Sequence, residues 1–468
     1  MQKVYVSGGY HLGFNQDIYS MRISNKFDRR KFVKTATTAA AMLPIIPILG
    51  NTIPSKKALK LAEKHRGELL DLLQDLIKVQ SISGESAADA QLVVKKYLSN
   101  LPYKIEESAD RPSLYKNHAE YMSPNPAGDG PFVNVVGWPE EQRGKQYAMF
   151  SHIDTHSIED GWQTDPFEPK LIGNKLYGLG TSDDKGGVAA MLVAASTLHK
   201  AGEPLPVVMS LHGKGGGGRG SLPVFDRLSK IDHGIGAVLY VHPAETGRGL
   251  ADIKNSVQGI ADLELTMTGW RGEPLEIGSV DSAQWKEGGN AIDRCMELLD
   301  QLRRTVFKDV LLNIGIMDGG DRIGSVADKV TVTFRLKFTG EHTWKALVDE
   351  ANRAIAQFVK SVSQPNHSYT AELKSVGYMT NPGAADWEAP VSQVLRSAIK
   401  DVTGIAPKAY PNHYAGDIRY PIRLLDVPVY GIGSIGGNFY LPNEWVDMDD
   451  LVKLVAVLIQ TLGNWSEQ

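Results

Sequence analysis

The segment Ser151-His152-Ile153-Asp154 sets a histidine and a carboxylate two residues apart. On an extended chain that spacing puts both side chains on one face, where the aspartate can orient the imidazole as carboxylates do for metal-bound histidines. A solvated surface pair has the same spelling, so the motif gains weight only from its surroundings. Downstream, Gly178-Leu179-Gly180-Thr181-Ser182-Asp183-Asp184-Lys185-Gly186-Gly187 is an acidic turn whose glycines permit close packing just before a helix. The single cysteine, Cys295, leaves neither a disulfide framework nor an all-thiolate metal site, so a bound metal must use imidazole and carboxylate. Lys214 lies in a glycine-rich run, where it could serve as a base if desolvation lowers its pKa, or bind an anionic substrate. That run lacks the Gly-Lys-Ser/Thr ending of a phosphate loop. Arg419, in Gly416-Asp417-Ile418-Arg419, can clamp a substrate carboxylate bidentately or pair with Asp417. His156 and His212 are unassigned: replacement ligands, acid/base groups or structural residues.

Short apolar runs at 147–150, 207–211, 237–241 and 427–430 read as buried strands, with an Ala-rich helix over 187–199. An amphipathic helix is expected over 58–78. Alternating strands and helices argue for a mostly parallel sheet covered on both faces, with ligands at the carboxyl ends of the strands. His152, Lys214 and His242 each follow one of those runs. The texture then changes: 260–268 and 330–338 alternate like half-exposed strands, and helices are expected over 290–303 and 343–359. This reads as a small antiparallel α+β module inserted into the larger domain, whose pattern resumes near residue 385.

Taken together, His-x-Asp, Asp165-Pro166-Phe167, Leu176-Tyr177-Gly178-Leu179-Gly180 and Ser182-Asp183-Asp184-Lys185-Gly186-Gly187 resemble the M20 metallopeptidase family. That family includes aminoacylases, carboxypeptidases, dipeptidases and deacylases of the acetylornithine and succinyl-diaminopimelate type. The likeness is sharpest over 147–198 and weaker over nearly all of 58–465. Gly416-Asp417-Ile418-Arg419 resembles the family's late Asp-x-Arg motif. The stretch 431–437 and Leu441-Pro442-Asn443-Glu444-Trp445-Val446 resemble its Gly-rich substrate loop and closing segment, which adds Gly436 and Tyr440 as substrate contacts. The resemblance implies an α/β fold: a mostly parallel, doubly wound catalytic domain (58–256 and 375–468) with an inserted ferredoxin-like lid (257–374) that often dimerises. It also implies two zinc ions, with His152 as a ligand, Asp154 as its catalytic orienter and Asp183 bridging both metals.

The departures are specific. Where the family has Glu-Glu, a general base and a metal ligand, this chain has Lys214 and Gly215, and no acid occurs anywhere from Val207 to Ser221. Where the family has a ligand histidine two residues before Pro442, this chain has Tyr440. Both losses fall on the same metal. The other site keeps His152 and Asp183, and His242 takes the place of an acid after the third strand, with Glu245 in reserve. The lid histidine that completes many family sites is missing from Gly269-Trp270-Arg271-Gly272-Glu273. Two histidines and one carboxylate suit one divalent metal, zinc first, with manganese or iron(II) as alternatives. The expected function is metal-dependent hydrolysis of amide bonds in small N-acyl amino acids or dipeptides. A metal-assisted lyase using Lys214 as base and a non-catalytic substrate-binding homologue are the alternatives.

The chain has 468 residues, enough for more than one core, with 42% hydrophobic and 22% charged residues as in soluble globular proteins. A net charge of -4 gives no reason to expect nucleic acid. Asp28-Arg29-Arg30-Lys31-Phe32-Val33-Lys34, ahead of the mildly apolar 35–50, resembles a twin-arginine export signal, so 1–50 is expected to be a leader and the mature protein periplasmic. Pro44 and Pro47 interrupt the apolar stretch, so no membrane span is expected. The expected partners are a small-molecule or peptide substrate and a second copy through the lid.

Overall fold

The four apolar runs become the parallel centre of an eight-stranded sheet. The computed structural model describes residues 53–82, 87–121, 131–141, 145–213, 220–271, 289–321, 325–365, 367–411 and 416–465. Val207–Leu211, Gln146–His152, Ile235–Val241 and Val429–Ile432 lie side by side in that order, all parallel. Antiparallel Phe132–Pro139 and Tyr103–Asp110 extend one edge, and Asp252–Lys254 and Lys408–Tyr410 extend the other. Alternate residues of one strand feed two cores. Tyr147 and Met149 pack under helices that include Arg66–Lys78, Lys185–Lys200 and Met448–Trp465. Ala148 and Phe150 pack instead with Ser221–Leu228 and Tyr420. Continuous apolar runs are what a sheet covered on both faces requires.

Register places the chemistry. His152 pairs with Leu211, and Phe150 pairs with both Met209 and Tyr240. The three carboxyl ends therefore finish together, with His152 level with His242 and His212 one residue past that row.

The first helix differs from its sequence pattern. It breaks into Ser55–Lys64 and Arg66–Lys78, with His65 between them at φ -101° and ψ 11°. His65 Nδ1 lies 2.7 Å from Glu68 Oε2, and Gly67, a poor helix former, sits in the new first turn.

The second module is a βαββαβ unit: Gly259–Thr268, Ala291–Arg304, Leu311–Gly319, Lys329–Phe338, Trp344–Val362 and Thr370–Thr380. Its antiparallel strands run in the spatial order 311–319, 329–338, 259–268, 370–380, the ferredoxin-like arrangement. Leu263, Leu265 and Met267 alternate into a separate core with Leu298, Leu302, Leu347 and Ile355. Asn290 and Thr343 cap the two helices through their side chains. The strands 311–319 and 370–380 had no recognisable pattern; the first buries no residue. Ser256–Val257 pairs with Gly383–Ala384 where the chain enters and leaves this module.

Among the described residues no helix is long and apolar enough to cross a membrane. Arg29, Arg30 and the rest of the expected leader lie outside the described residues.

Candidate metal centre

His152 ends its strand and His242 follows the neighbouring one, so parallel pairing brings their rings to 5.3 Å between centroids. Asp183 comes from the acidic turn before the helix Lys185–Lys200. Its Oδ1 lies 3.0 Å from His152 Nε2 and 3.2 Å from His242 Nε2. All three side chains are buried, and among the described residues they are the group of donors that could hold a metal ion, with ligand atoms within 4.8 Å of one another. Ligands about 2.0–2.1 Å from a tetrahedral ion stand about 3.3 Å apart, so the donor set and spacing fit a divalent metal.

Each ligand has a distinct support. His152 Nδ1 lies 3.1 Å from the backbone carbonyl of Asp154, whereas the Asp154 carboxylate is 3.7 Å away. The backbone oxygen is thus the nearer orienter, and the Asp154 side chain accepts the Gly213 amide at 2.9 Å. Asp183 is held through its turn. The buried Glu444 carboxylate accepts the amides of Gly180, Ser182 and Asp183 at 2.8, 2.7 and 2.9 Å. His242 Nδ1 lies 2.7 Å from the carbonyl of Pro243, and behind it stands Lys254, fully buried, with Nζ 2.7 Å from the same Nδ1 and 2.9 Å from that carbonyl.

The two imidazoles are driven in opposite directions. Burial pulls the pKa of His152 down, but the hydrogen bond and charge of Asp183, with Asp184 and Asp154, hold it up at about 9. Burial and the neighbouring Lys254 drive His242 down to about 3. Burial also lowers Lys254 itself to about 8, against the pull of Glu245, Asp184 and Asp183. Asp184 is pushed well above the carboxylate range by burial and takes the Ser151 hydroxyl at 2.5 Å.

The remaining residues scatter. Lys214, with Gly215, lies outside the described residues. Glu245 stands apart from the trio, in a left-handed backbone conformation, and accepts the Tyr440 hydroxyl at 3.4 Å. Tyr440 is also left-handed, at φ 64°, and meets the His156 ring edge-on at 3.9 Å. Arg419 is wholly buried, its guanidinium 4.4 Å from the Tyr420 ring and bonded to the Tyr420 hydroxyl at 2.5 Å, so it is packed away from solvent. Gly436 faces the Asp183 turn, where an added Cβ would stand 1.7 Å from Ser182 Oγ. His212 is buried against Phe132, with Nε2 3.8 Å from Asp154 Oδ2. Glu444 and Lys254 were not singled out from sequence. Glu444 lay in a quoted motif without a role, and Lys254 carries no local signal at all.

A family model, Peptidase family M20/M25/M40, matches residues 148–464. The succinyl-diaminopimelate desuccinylase of Rhizorhabdus wittichii is 24% identical over 83% of this chain and 95% of its own length. That of Methylococcus capsulatus is also 24% identical, over 85% and 98%. Among solved structures, the aminopeptidase PepT from Bacillus cereus shares the fold with a TM-score of 0.62 at 17% identity, covering 85% of this chain and 98% of that one. Human carnosine dipeptidase 1 does so with a TM-score of 0.60 at 14% identity, covering 88% and 100%.

Proposed function

The chain belongs to Peptidase family M20/M25/M40, and from that premise we propose that it hydrolyses amide bonds in small N-acyl amino acids or dipeptides, using one divalent metal ion. The observation that carries this reading is the convergence of two imidazoles and one carboxylate at the carboxyl ends of adjacent parallel strands. The names of its relatives, a desuccinylase and a dipeptidase among them, support a small amide substrate. His152, Asp183 and His242 would hold the divalent ion, which when bound would supply Lewis acidity to the amide carbonyl. The chain's own residues do the rest. The Asp154 carbonyl orients His152, and Glu444 fixes the turn that presents Asp183. Tyr440, partly exposed beside the trio, offers its hydroxyl to the substrate, and Glu245 behind it accepts the proton that the missing Glu-Glu pair would have taken. Lys214 is the second candidate base.

The test is metal content per purified chain, followed by assays of N-succinyl, N-acetyl and dipeptide substrates with zinc, manganese and iron(II). One ion per chain and hydrolysis abolished by His152→Ala are expected. Two tightly held ions would overturn the single-metal site, and one ion without hydrolysis would point to a lyase. A binding protein without catalysis is the second reading; the cation placed directly against a ligand histidine favours it, and a metal-free chain would favour it further. We further propose export through the Arg29-Arg30 leader, which cell fractionation of the double Lys variant would check by retention in the cytoplasm.

A further inference from the structure

Two short strands join the inserted module to the larger domain, and one buried carboxylate ties the second of them to both. Ser256–Val257 leads in and pairs with Gly383–Ala384, which leads out. The module keeps its own core, and a two-residue ladder on its own lets such a module turn as about a hinge. Glu120 follows the turn Pro112–Tyr115 of the larger domain and is buried. Its Oε1 accepts Arg423 Nε at 2.6 Å, from the helix Arg419–Leu424, and Asn381 Nδ2 at 3.3 Å, from the way out of the module.

Each partner of Glu120 reaches further. Arg423 also donates to the Pro382 carbonyl at 2.9 Å, so its guanidinium holds the outgoing chain one residue past Asn381. At Gly383, next in line, a Cβ would stand 2.9 Å from Ile422 Cγ2, so the chain packs directly on that helix. Asn381 faces the other way. Its Oδ1 accepts the amide of Trp344 at 3.1 Å, the first residue of the module's helix Trp344–Val362. The first amides of a helix have no partner within it, so Asn381 is fixed to the module where a bond is needed. A chain of bonds thus runs from Arg423 through Glu120 and Asn381 into the module. Its arms are unequal: the ion-paired bond to Arg423 is short, and the Asn381 bond is the weaker link.

We propose that Glu120, Arg423 and Asn381 form a latch that fixes the angle of the inserted module to the larger domain, and that it opens at the bond between Asn381 and Glu120. Glu120 and Arg423 then stay with Pro382, while Asn381 leaves with the helix whose amide it holds. The turning point is the step from Asn381 to Pro382. Its counterpart on the way in is Gln258, between Ser256–Val257 and Gly259–Thr268. None of the three latch residues is a metal donor, so the latch stands or falls independently of the amide-hydrolase reading.

The experiment is spin-label distance measurement on the full chain, with Lys60→Cys in the larger domain and Gln357→Cys in the module. Both positions are exposed, and the buried Cys295 escapes the label. The chain with its latch intact should give one narrow distance distribution. Asn381→Asp keeps the oxygen that accepts the Trp344 amide but sets a carboxylate against Glu120, and should broaden the distribution about twofold or shift its peak. Adding Glu120→Gln to that variant reverses the polarity of the pair and should restore the narrow distribution; a loss of packing alone would not be rescued that way. Asn381→Ala removes the contact without adding charge and should also broaden it, so a folded comparison remains if thermal melting shows the Asp variant unfolded. An unchanged distribution in the Asn381 variants, or no rescue in the double variant, overturns the latch. A distribution already broad with Asn381 and Glu120 in place overturns it as well.

Discussion

Three amides of the 180–183 turn have the Glu444 carboxylate as acceptor, and a residue so placed acts on the metal site without touching it. Glu444→Ala leaves three buried donors unsatisfied, at about 1 kcal/mol or more each. The expected loss is therefore about 3 kcal/mol in urea unfolding, together with weaker metal binding as Asp183 loses its fixed position. Gly436 gives a second test at this scale. Its added Cβ would collide with Ser182 Oγ, which bonds the Trp445 carbonyl at 2.7 Å. Gly436→Ala should cost about 1–3 kcal/mol of stability, as overpacking does. A raised KM at unchanged stability would show instead that Gly436 is a substrate contact, the role its motif suggested. His152 and Asp183 were legible because their motifs are local. Lys254 was not, because nothing near it in the chain marks it; only the folded sheet sets it against His242.

At the scale of elements, the sequence pattern ran one helix through His65, but the side chains around the break tie three helices together. Glu68 accepts hydrogen bonds from Tyr97, Lys200 and His65, linking Arg66–Lys78 to Ala87–Leu98 and Lys185–Lys200. Burial raises the Glu68 pKa, but those three hydrogen bonds together outweigh it and hold the carboxyl below its ordinary value of 4.5. The unfolded chain therefore binds this proton more readily than the folded one. The stability so gained is present above the ordinary value and is lost as pH falls through it toward the lower folded value. Glu68→Gln should lower the thermal midpoint near neutrality and flatten its decline below about pH 4.5, the ordinary glutamate range. A decline as steep as the wild type's would assign the acid sensitivity to other carboxylates. The four central strands were read correctly because burial on both faces gives unbroken apolar runs. The strand Leu311–Gly319 was missed because an edge strand without a buried residue writes no such signal.

For the whole molecule, the same edge strand bears on assembly. Leu311–Gly319 borders the inserted sheet, pairing with Lys329–Phe338 on one side and with no strand among the described residues on the other. Such an edge presents backbone donors and acceptors that a second chain can pair with, and most natural edges are guarded by charge or kept short. This one is nine residues long and leaves Leu311 and Ile316 each 64% exposed, with Met317 43% exposed. Exposed apolar side chains along an unpaired edge are what an interface between copies would cover. The separate core beneath the sheet lets this module carry such a contact without disturbing the metal centre. Light scattering on the eluted protein at about 50 µM, a concentration well above the micromolar Kd of a modest interface, should therefore show a dimer. Ile316→Lys combined with Met317→Lys should convert it to a monomer that keeps the wild-type metal content. A monomeric wild-type chain would overturn the pairing; a dimer that survives both substitutions would move the interface to another face.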